Sequence, residues 1–207
     1  MKLHIQYLII LCSALVIGGC DSDDASDVAN NITEDPQLNG SFVGPCSGSD
    51  ILNLSYRQRM TFSGNTFTHE RTYFETSDCS DAEAGGTVEL TGEFVVDADG
   101  IESSDAGAIQ LELTKALVTP NQTYLVNALN TVGFCGSNDY TLNQEKEITE
   151  GTDEFACPVR ELPETLYGAY SVEDDRLYLN NGGLSQMSED GQNRPTILDK
   201  NTVYIKE

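Results

Sequence analysis

The sequence predicts a mainly β fold, either an antiparallel barrel of about eight strands with one amphipathic helix or a β-sandwich with a crossover helix. The chain of 207 residues suits one ordinary domain, and its 18 Gly among many Asn, Asp, Ser and Thr residues indicate many turns. Several segments alternate apolar and polar residues with the period of a half-buried strand, and one segment has helical spacing instead. These patterns leave the choice between barrel and sandwich open.

The clearest element is a hairpin made by residues 54–62 and 66–74. The Gly-Asn loop at 64–65 suits a two-residue primed turn, because both residue types tolerate positive φ. This register pairs positions whose numbers sum to 129, and it places Arg59 opposite Glu70 on one face. The other face would point into a barrel and carries the candidate ligand-binding side chains Gln58, Met60, Phe62, Phe67, His69 and Arg71.

The same alternation predicts the remaining strands at 41–43, 88–96, 109–113, near 147–149, and at 170–172, 177–179 and 202–206. Residues 119–122 (Thr-Pro-Asn-Gln) have the pattern of a helical capping box with Pro at the first helical position. Apolar residues then recur at helical spacing as far as Val132, and Gly133 can end the helix.

The N-terminus predicts a signal peptide over residues 1–19. Lys2 precedes an uninterrupted apolar run at 8–17, which as a helix would rise only about 15 Å, half of a bilayer core. The run leads into Ile-Gly-Gly-Cys at 17–20, which resembles the lipobox of bacterial lipoprotein precursors. That resemblance implies cleavage before Cys20 and acylation, by palmitate or a similar chain, of its thiol and its new amino group. The acyl chains would anchor the protein in the bacterial cell envelope, at the periplasmic face of the inner membrane or at the outer membrane.

An acidic tether is predicted to follow the anchor over residues 20–37, ahead of a single domain at 38–207. Between positions 21 and 36 there are six acidic residues and no basic ones, a composition that does not bury enough apolar surface to fold. The whole chain has 34 Asp plus Glu against 11 Lys plus Arg, a formal net charge of -23. Phosphate binding needs clustered basic residues, so nucleic acid is excluded as a direct partner.

Four cysteines remain in the predicted mature domain, namely Cys46, Cys79, Cys135 and Cys157. An even number in an exported domain predicts two disulfides, for which three connectivities exist. We favour Cys46 with Cys79 and Cys135 with Cys157. Each disulfide would then lie within one half of the domain and stabilise that half. The spacings match neither a zinc site nor a Cys-x-x-Cys redox pair.

A series of short motifs follows one order along residues 38–206: Gly40-Ser41-Phe42-Val43, Cys46, the hairpin residues 60–67, Tyr73, Cys79, Gly92-Glu93-Phe94, Val118-Thr119-Pro120, Leu129-Asn130, Cys135-Gly136, Cys157, Tyr167, Leu177-Tyr178 and Arg194-Pro195. This order resembles the repeated extracellular domain of the animal Wnt inhibitors called "adenomatosis polyposis coli down-regulated". Phe42 and Tyr140 stand where that family has Trp.

The resemblance implies a lipocalin-like antiparallel barrel that holds a lipid in its interior, with the Cys pairing favoured above. We therefore expect a non-enzymatic envelope lipoprotein that binds a hydrophobic or lipid-like small molecule. The aromatic residues of the hairpin face would line the cavity, and Gln58, His69 and Arg71 would orient a polar head group. The alternative is a structural or adhesive envelope module that binds no small molecule.

The sequence supports no catalytic site, no cofactor and no metal site. His69 is the one His left after cleavage of the signal peptide, and no Gly-x-Ser-x-Gly motif is present to place a nucleophile. The acidic residues from Asp97 to Asp105 surround a Gly at the fourth position, whereas a calcium-binding EF-hand loop needs it at the sixth. We expect that segment to be a solvated turn between strands.

Overall fold

A computed structural model describes residues 35–49, 52–80, 84–97, 106–151, 157–180 and 183–207. The predicted signal peptide, Cys20 and all of the predicted tether before Asp35 lie outside the described residues, as does the segment 98–105 that holds the predicted acidic turn. In the described part of the chain, no helix is long and apolar enough to cross a membrane.

The described residues form one antiparallel sheet and one α-helix. The strands are β1 Gly40–Val43, β2 Ser47–Ser49, β3 Leu54–Ser63, β4 Thr66–Phe74, β5 Ala84–Asp97, β6 Gly107–Pro120, β7 Lys146–Glu147, β8 Glu164–Glu173, β9 Arg176–Leu179 and β10 Tyr204–Lys206. The helix α1 spans Thr123–Val132, and short 3-10 turns occupy Phe134–Gly136, Gly183–Gln186 and Gly191–Asn193.

Eight of the strands close into a barrel, which confirms the predicted fold class and excludes the sandwich. The order is β1-β10-β9-β8-β6-β5-β4-β3, and β1 also pairs with β3. Phe42 of β1 has Lys206 on one side and Met60 on the other, so this strand of four residues joins the two ends of the sheet. Closure removes the unpaired edges that an open sheet would present to solvent.

Two short strands lie outside the closed barrel. β2 pairs with β3 beyond the end of β1, and the alternation of the sequence did not predict it. β7 pairs with β6 alone, so the strand predicted near 147–149 is only two residues long and is not one of the barrel strands.

The predicted hairpin register is confirmed at every pair of β3 and β4. Phe62 is opposite Phe67, and Met60 is opposite His69. The turn between the strands has Gly64 in the left-handed region, at φ 58°. On the outer face Arg59 is opposite Glu70, yet the carboxylate that forms its ion pair is that of Glu207, at 3.0 Å.

The start of the helix corrects the predicted capping box. Thr119 and Pro120 are the last residues of β6, opposite Thr87 and Gly86 of β5. The backbone N–H groups of the next two residues donate to the Gly85 carbonyl oxygen at 2.6 and 2.9 Å. These bonds hold residues 121 and 122 beside β5, where the sequence pattern predicts the first turn of the helix. The helix therefore begins only after residue 122, whose side chain makes no capping hydrogen bond.

The end of the helix is where the sequence predicts it. Gly133 is left-handed at φ 63°, and its N–H donates to the Leu129 carbonyl oxygen, as at many helix C-termini. Leu125 and Leu129 are fully buried, and the Tyr124 hydroxyl donates to the backbone oxygen of Tyr73 at 3.5 Å. The helix therefore covers the barrel end at which β4 finishes.

Both predicted disulfides are present. Cys46 is bonded to Cys79, and Cys135 is bonded to Cys157. The first bond ties the segment between β1 and β2 to the segment that follows β4. The second ties the end of the helical region to the chain that leads into β8.

Candidate ligand-binding site

Strand register arranges the interior of the barrel in layers. Every second residue of β4 points inward, and the order from the helix-covered end is Tyr73, Arg71, His69 and Phe67. Across β3 and β5, Arg71 is level with Gln58 and Val88, and His69 is level with Met60 and Leu90. The six candidate residues predicted from the hairpin therefore share one inward face.

The layer farthest from the helix is filled with aromatic side chains. The Phe62 ring lies 5.4 Å from that of Phe67, 5.1 Å from that of Phe94 and 6.3 Å from that of Phe42, measured between ring centroids. Phe62 and Phe67 are each 1% exposed, and neighbouring Met60 is fully buried. Gly92 lies opposite Phe67 on β5, and a Cβ atom at this position would overlap the Glu112 carbonyl oxygen of β6. These residues form the packed core of the barrel.

Between this core and the helix lies a group of polar and aromatic side chains, here called the polar cluster: Tyr56, Gln58, His69, Arg71 and Tyr204. Burial raises the pKa of Tyr204 to about 12, so its hydroxyl stays protonated and donates to Gln58 Oε1 at 3.1 Å. The same oxygen lies 3.1 Å from His69 Nε2. Because Oε1 can only accept, the hydrogen of the His69 ring is on Nε2.

His69 is the deepest polar group of the cluster, with 2% of its surface exposed. Burial, together with the nearby charge of Arg71, lowers its pKa to about 3, so the ring is neutral. With the hydrogen on Nε2, the other ring nitrogen, Nδ1, is a hydrogen-bond acceptor. It is enclosed and has no hydrogen-bond partner among the described residues.

Arg71 brings a positive charge into the barrel and meets phenol rings there. Its guanidinium lies 4.7 Å from the centroid of the Tyr56 ring and is hydrogen-bonded to the Tyr73 side chain. Burial alone would lower the pKa of Arg71, but the phenol oxygens of Tyr73, Tyr56 and Tyr204 outweigh that effect. No carboxylate among the described residues forms an ion pair with Arg71, and its Nε–H has no acceptor among them.

Solvent reaches the polar cluster along β3. Tyr56, Gln58 and Arg71 are partly exposed although they point inward. Val88 and Leu90, on the neighbouring strand β5, are buried. Leu54, one layer farther out on β3, is also partly exposed. These partly exposed side chains lie at the helix-covered end of the barrel, on its β3 side, whereas the helix packs against β5 and β6. His69 and the aromatic core close the inner side of the cluster.

A concavity of about 240 Å³ lies on the outer face of the hairpin, lined by Val43, Arg57, Gln58, Arg59, Glu70, Thr72 and Phe74. Its charges are already satisfied within the chain. Arg59 pairs with Glu207, and Arg57 donates to the Cys79 carbonyl oxygen at 3.1 Å while lying 5.8 Å from the centroid of the Phe74 ring. This groove therefore offers a ligand less unpaired charge than the polar cluster does.

Sequence reasoning identified Gln58, His69 and Arg71 but missed Tyr204 and Tyr56. Tyr56 shares the predicted inward face, and its position opposite Tyr73 in the register was the available signal. Tyr204 is 146 residues from Gln58, to which it is hydrogen-bonded, and no local pattern indicates that contact.

Comparison with models of known protein families gives no match. Comparison with curated protein sequences gives none either. Among the described residues, no group of three or more His, Cys, Asp and Glu side chains could hold a metal ion. The chemistry of the polar cluster is the basis of the proposal that follows.

Proposed function

We propose that this protein is a lipid-anchored lipoprotein of the bacterial cell envelope whose barrel binds, without catalysis, a hydrophobic small molecule with an acidic head group. The observation that carries the proposal is the position of Arg71. Its guanidinium points into the barrel, and among the described residues its neighbours are phenols and an amide, with no carboxylate paired to it.

The phenol groups around Arg71 stabilise its charge but do not neutralise it, because neutralisation needs an opposite charge. This chain has 34 acidic residues, yet none of those described is paired with Arg71. A carboxylate or phosphate on a ligand would accept from the guanidinium in two places. Recognition of an acidic head group is the role that best accounts for this arrangement.

The polarity of the surroundings determines which end of such a ligand points into the barrel. The aromatic core beyond His69 is filled, so the head group goes inward to Arg71 and the apolar part lies toward the opening. There it meets the partly exposed side chains of Leu54 and Tyr56. We therefore propose a ligand with a short or medium acyl chain, whose far end would lie near solvent.

The anchoring half of the proposal rests on the lipobox-like sequence that ends at Cys20 and on the apolar segment before it. Each methylene of an acyl chain adds about 0.8 kcal/mol of membrane affinity, so two or three chains hold a protein at the membrane permanently. The barrel would then meet ligands at the surface of the inner or outer membrane.

The second candidate function is a structural or adhesive module that binds another protein through its outer surface. It is favoured by the packed aromatic core and by two exposed isoleucines, Ile197 at 76% and Ile205 at 58%. A partner protein that covers exposed apolar side chains of this size removes them from water, which favours binding. Crosslinking in cells to a single partner, with no ligand in the barrel, would favour this function.

Native mass spectrometry of the full chain, released from detergent micelles, tests the proposal. We expect a bound species of lipid-like mass that is lost in Arg71→Gln. The matched control is Glu70→Gln, which changes the adjacent residue on the outer face and should keep the ligand. A wild-type protein with no bound mass, and with no affinity for added medium-chain fatty acids, would exclude ligand binding.

A further inference from the structure

The polar cluster leaves two buried polar atoms without partners among the described residues, and their hydrogen-bonding characters are opposite. His69 Nδ1 is an acceptor, and Arg71 Nε–H is a donor. The two residues are separated by one position on β4 and share its inward face, so their Cα atoms are about 6.6 Å apart along the strand. The two side chains are therefore neighbours on the interior face.

The acceptor character of His69 Nδ1 follows from a hydrogen bond within the hairpin. Gln58 Oε1 can only accept, and it accepts from His69 Nε2–H and from the Tyr204 hydroxyl. Nδ1 then carries a lone pair in an enclosed site, where an unmade hydrogen bond is costly. Only a donor can satisfy it.

We infer that the ligand is a hydroxy acid with an apolar tail, whose acidic oxygen accepts from Arg71 and whose hydroxyl donates to His69 Nδ1. This inference rests on the proposed function, because it names the head group of the ligand proposed there. Both atoms are enclosed, so the head group enters by displacing the partly exposed Tyr56 ring that stacks on Arg71.

Selectivity follows from the chemistry of the two head groups. A simple fatty acid is ionised at neutral pH and offers only acceptors, so it satisfies Arg71 and leaves the lone pair of His69 Nδ1 unpaired. A hydroxyl near the carboxylate supplies the missing donor. Sites built to hydrogen-bond a hydroxyl discriminate against analogues that lack it, because the buried partner is otherwise left unsatisfied.

Calorimetric titration of the full chain in dodecyl maltoside micelles with two probes, octanoate and 3-hydroxyoctanoate, tests the inference. We expect the wild-type protein to bind 3-hydroxyoctanoate about tenfold more tightly than octanoate. His69→Leu should remove this preference. Glu70→Gln, the outer-face control, should keep it. The two probes partition differently into micelles, so the free concentration of each is measured in protein-free micelles and used for every affinity.

A third probe tests the same point without any variant. In 3-methoxyoctanoate the oxygen remains but its hydrogen is gone, so this acid should bind no more tightly than octanoate. Equal affinity of the wild-type protein for octanoate and 3-hydroxyoctanoate would overturn the inference and leave the proposed function standing, with water as the partner of His69. A preference that survives in His69→Leu, or tight binding of 3-methoxyoctanoate, would overturn it too. Failure of all three probes to bind would instead overturn the proposed function.

Discussion

The Tyr170 hydroxyl of β8 donates a hydrogen bond to the Asp35 carboxylate at 3.0 Å, across 135 residues of chain. Asp35 also accepts, through its backbone oxygen, from the N–H of Leu38 at 3.0 Å, which forms a turn directly before β1. Leu38 is fully buried. The folded body therefore begins at least three residues before Leu38, within the segment that composition alone assigns to the tether.

The Tyr170 contact can be measured with a double-mutant cycle. Tyr170→Phe and Asp35→Ala should each destabilise the fold, and the double variant should lose about 1 kcal/mol less than the sum of the two. Urea unfolding of the four proteins gives the coupling energy. Strict additivity would show that this hydrogen bond contributes nothing to stability.

The inward and outward faces of β4 should respond differently to truncation. Phe67→Ala leaves a cavity beside the Phe62 ring and should cost about 3 kcal/mol. Glu70→Ala, on the outer face, should cost under about 1 kcal/mol, because an exposed charge contributes little. Chemical denaturation of both variants measures the difference, and similar losses would contradict the packed aromatic core.

The disulfides should behave as single units in mutant cycles. Cys46→Ala and Cys79→Ala should each cost about 3–4 kcal/mol, and the double variant should cost little more, because the same bond is lost in all three. The pair Cys135 and Cys157 should follow the same pattern. Additive losses within a pair would show that the two thiols act separately.

His69 should make stability fall in acid. Its pKa is about 3 in the folded protein against 6.5 when unfolded, so below pH 6.5 the unfolded chain binds a proton that the fold excludes. Stability is therefore unaffected by this group above pH 6.5 and is lost as the pH falls toward 3. At pH 4.5 the loss should reach about 2–3 kcal/mol, since one pKa unit corresponds to about 1.4 kcal/mol.

The variant His69→Gln isolates that contribution from the titration of the many surface carboxylates. Arg71 remains charged and Tyr204 remains neutral throughout this range, so His69 is the group of the polar cluster that titrates. As the pH is lowered from 7 to 4, the urea midpoint of the wild type should fall relative to that of the variant, so any advantage of the wild type at pH 7 shrinks or reverses. A difference that does not change with pH would mean that His69 is solvated.

Anchoring is tested at Cys20. Cys20→Ser removes the thiol that acylation requires, so we expect an uncleaved precursor that carries no fatty acid. Metabolic labelling with a radioactive or clickable fatty acid measures this directly. Label that persists in Cys20→Ser would refute the lipobox interpretation.

The sequence by itself determined the hairpin and what its inward face carries. Phe62 and Phe67 are five positions apart, so a two-residue turn and the period of the strand are enough to bring them together. The end of the helix at Gly133 was predicted for the same reason, because its cap is a local conformation. The pairing of cysteines within each half of the domain, which the sequence analysis favoured, is the one that the structure has.

Tertiary structure decided the features that depend on distant segments. The start of the helix moved to residue 123 because Thr119 and Pro120 pair with β5, and sheet pairing outweighed the capping pattern. The barrel closes because β1 binds both β3 and β10, a contact between chain ends that periodicity does not encode. That closure also brings Tyr204 to Gln58, 146 residues away, and so completes the polar cluster. The bond from His69 to Gln58, which leaves Nδ1 an acceptor, lies within the hairpin itself.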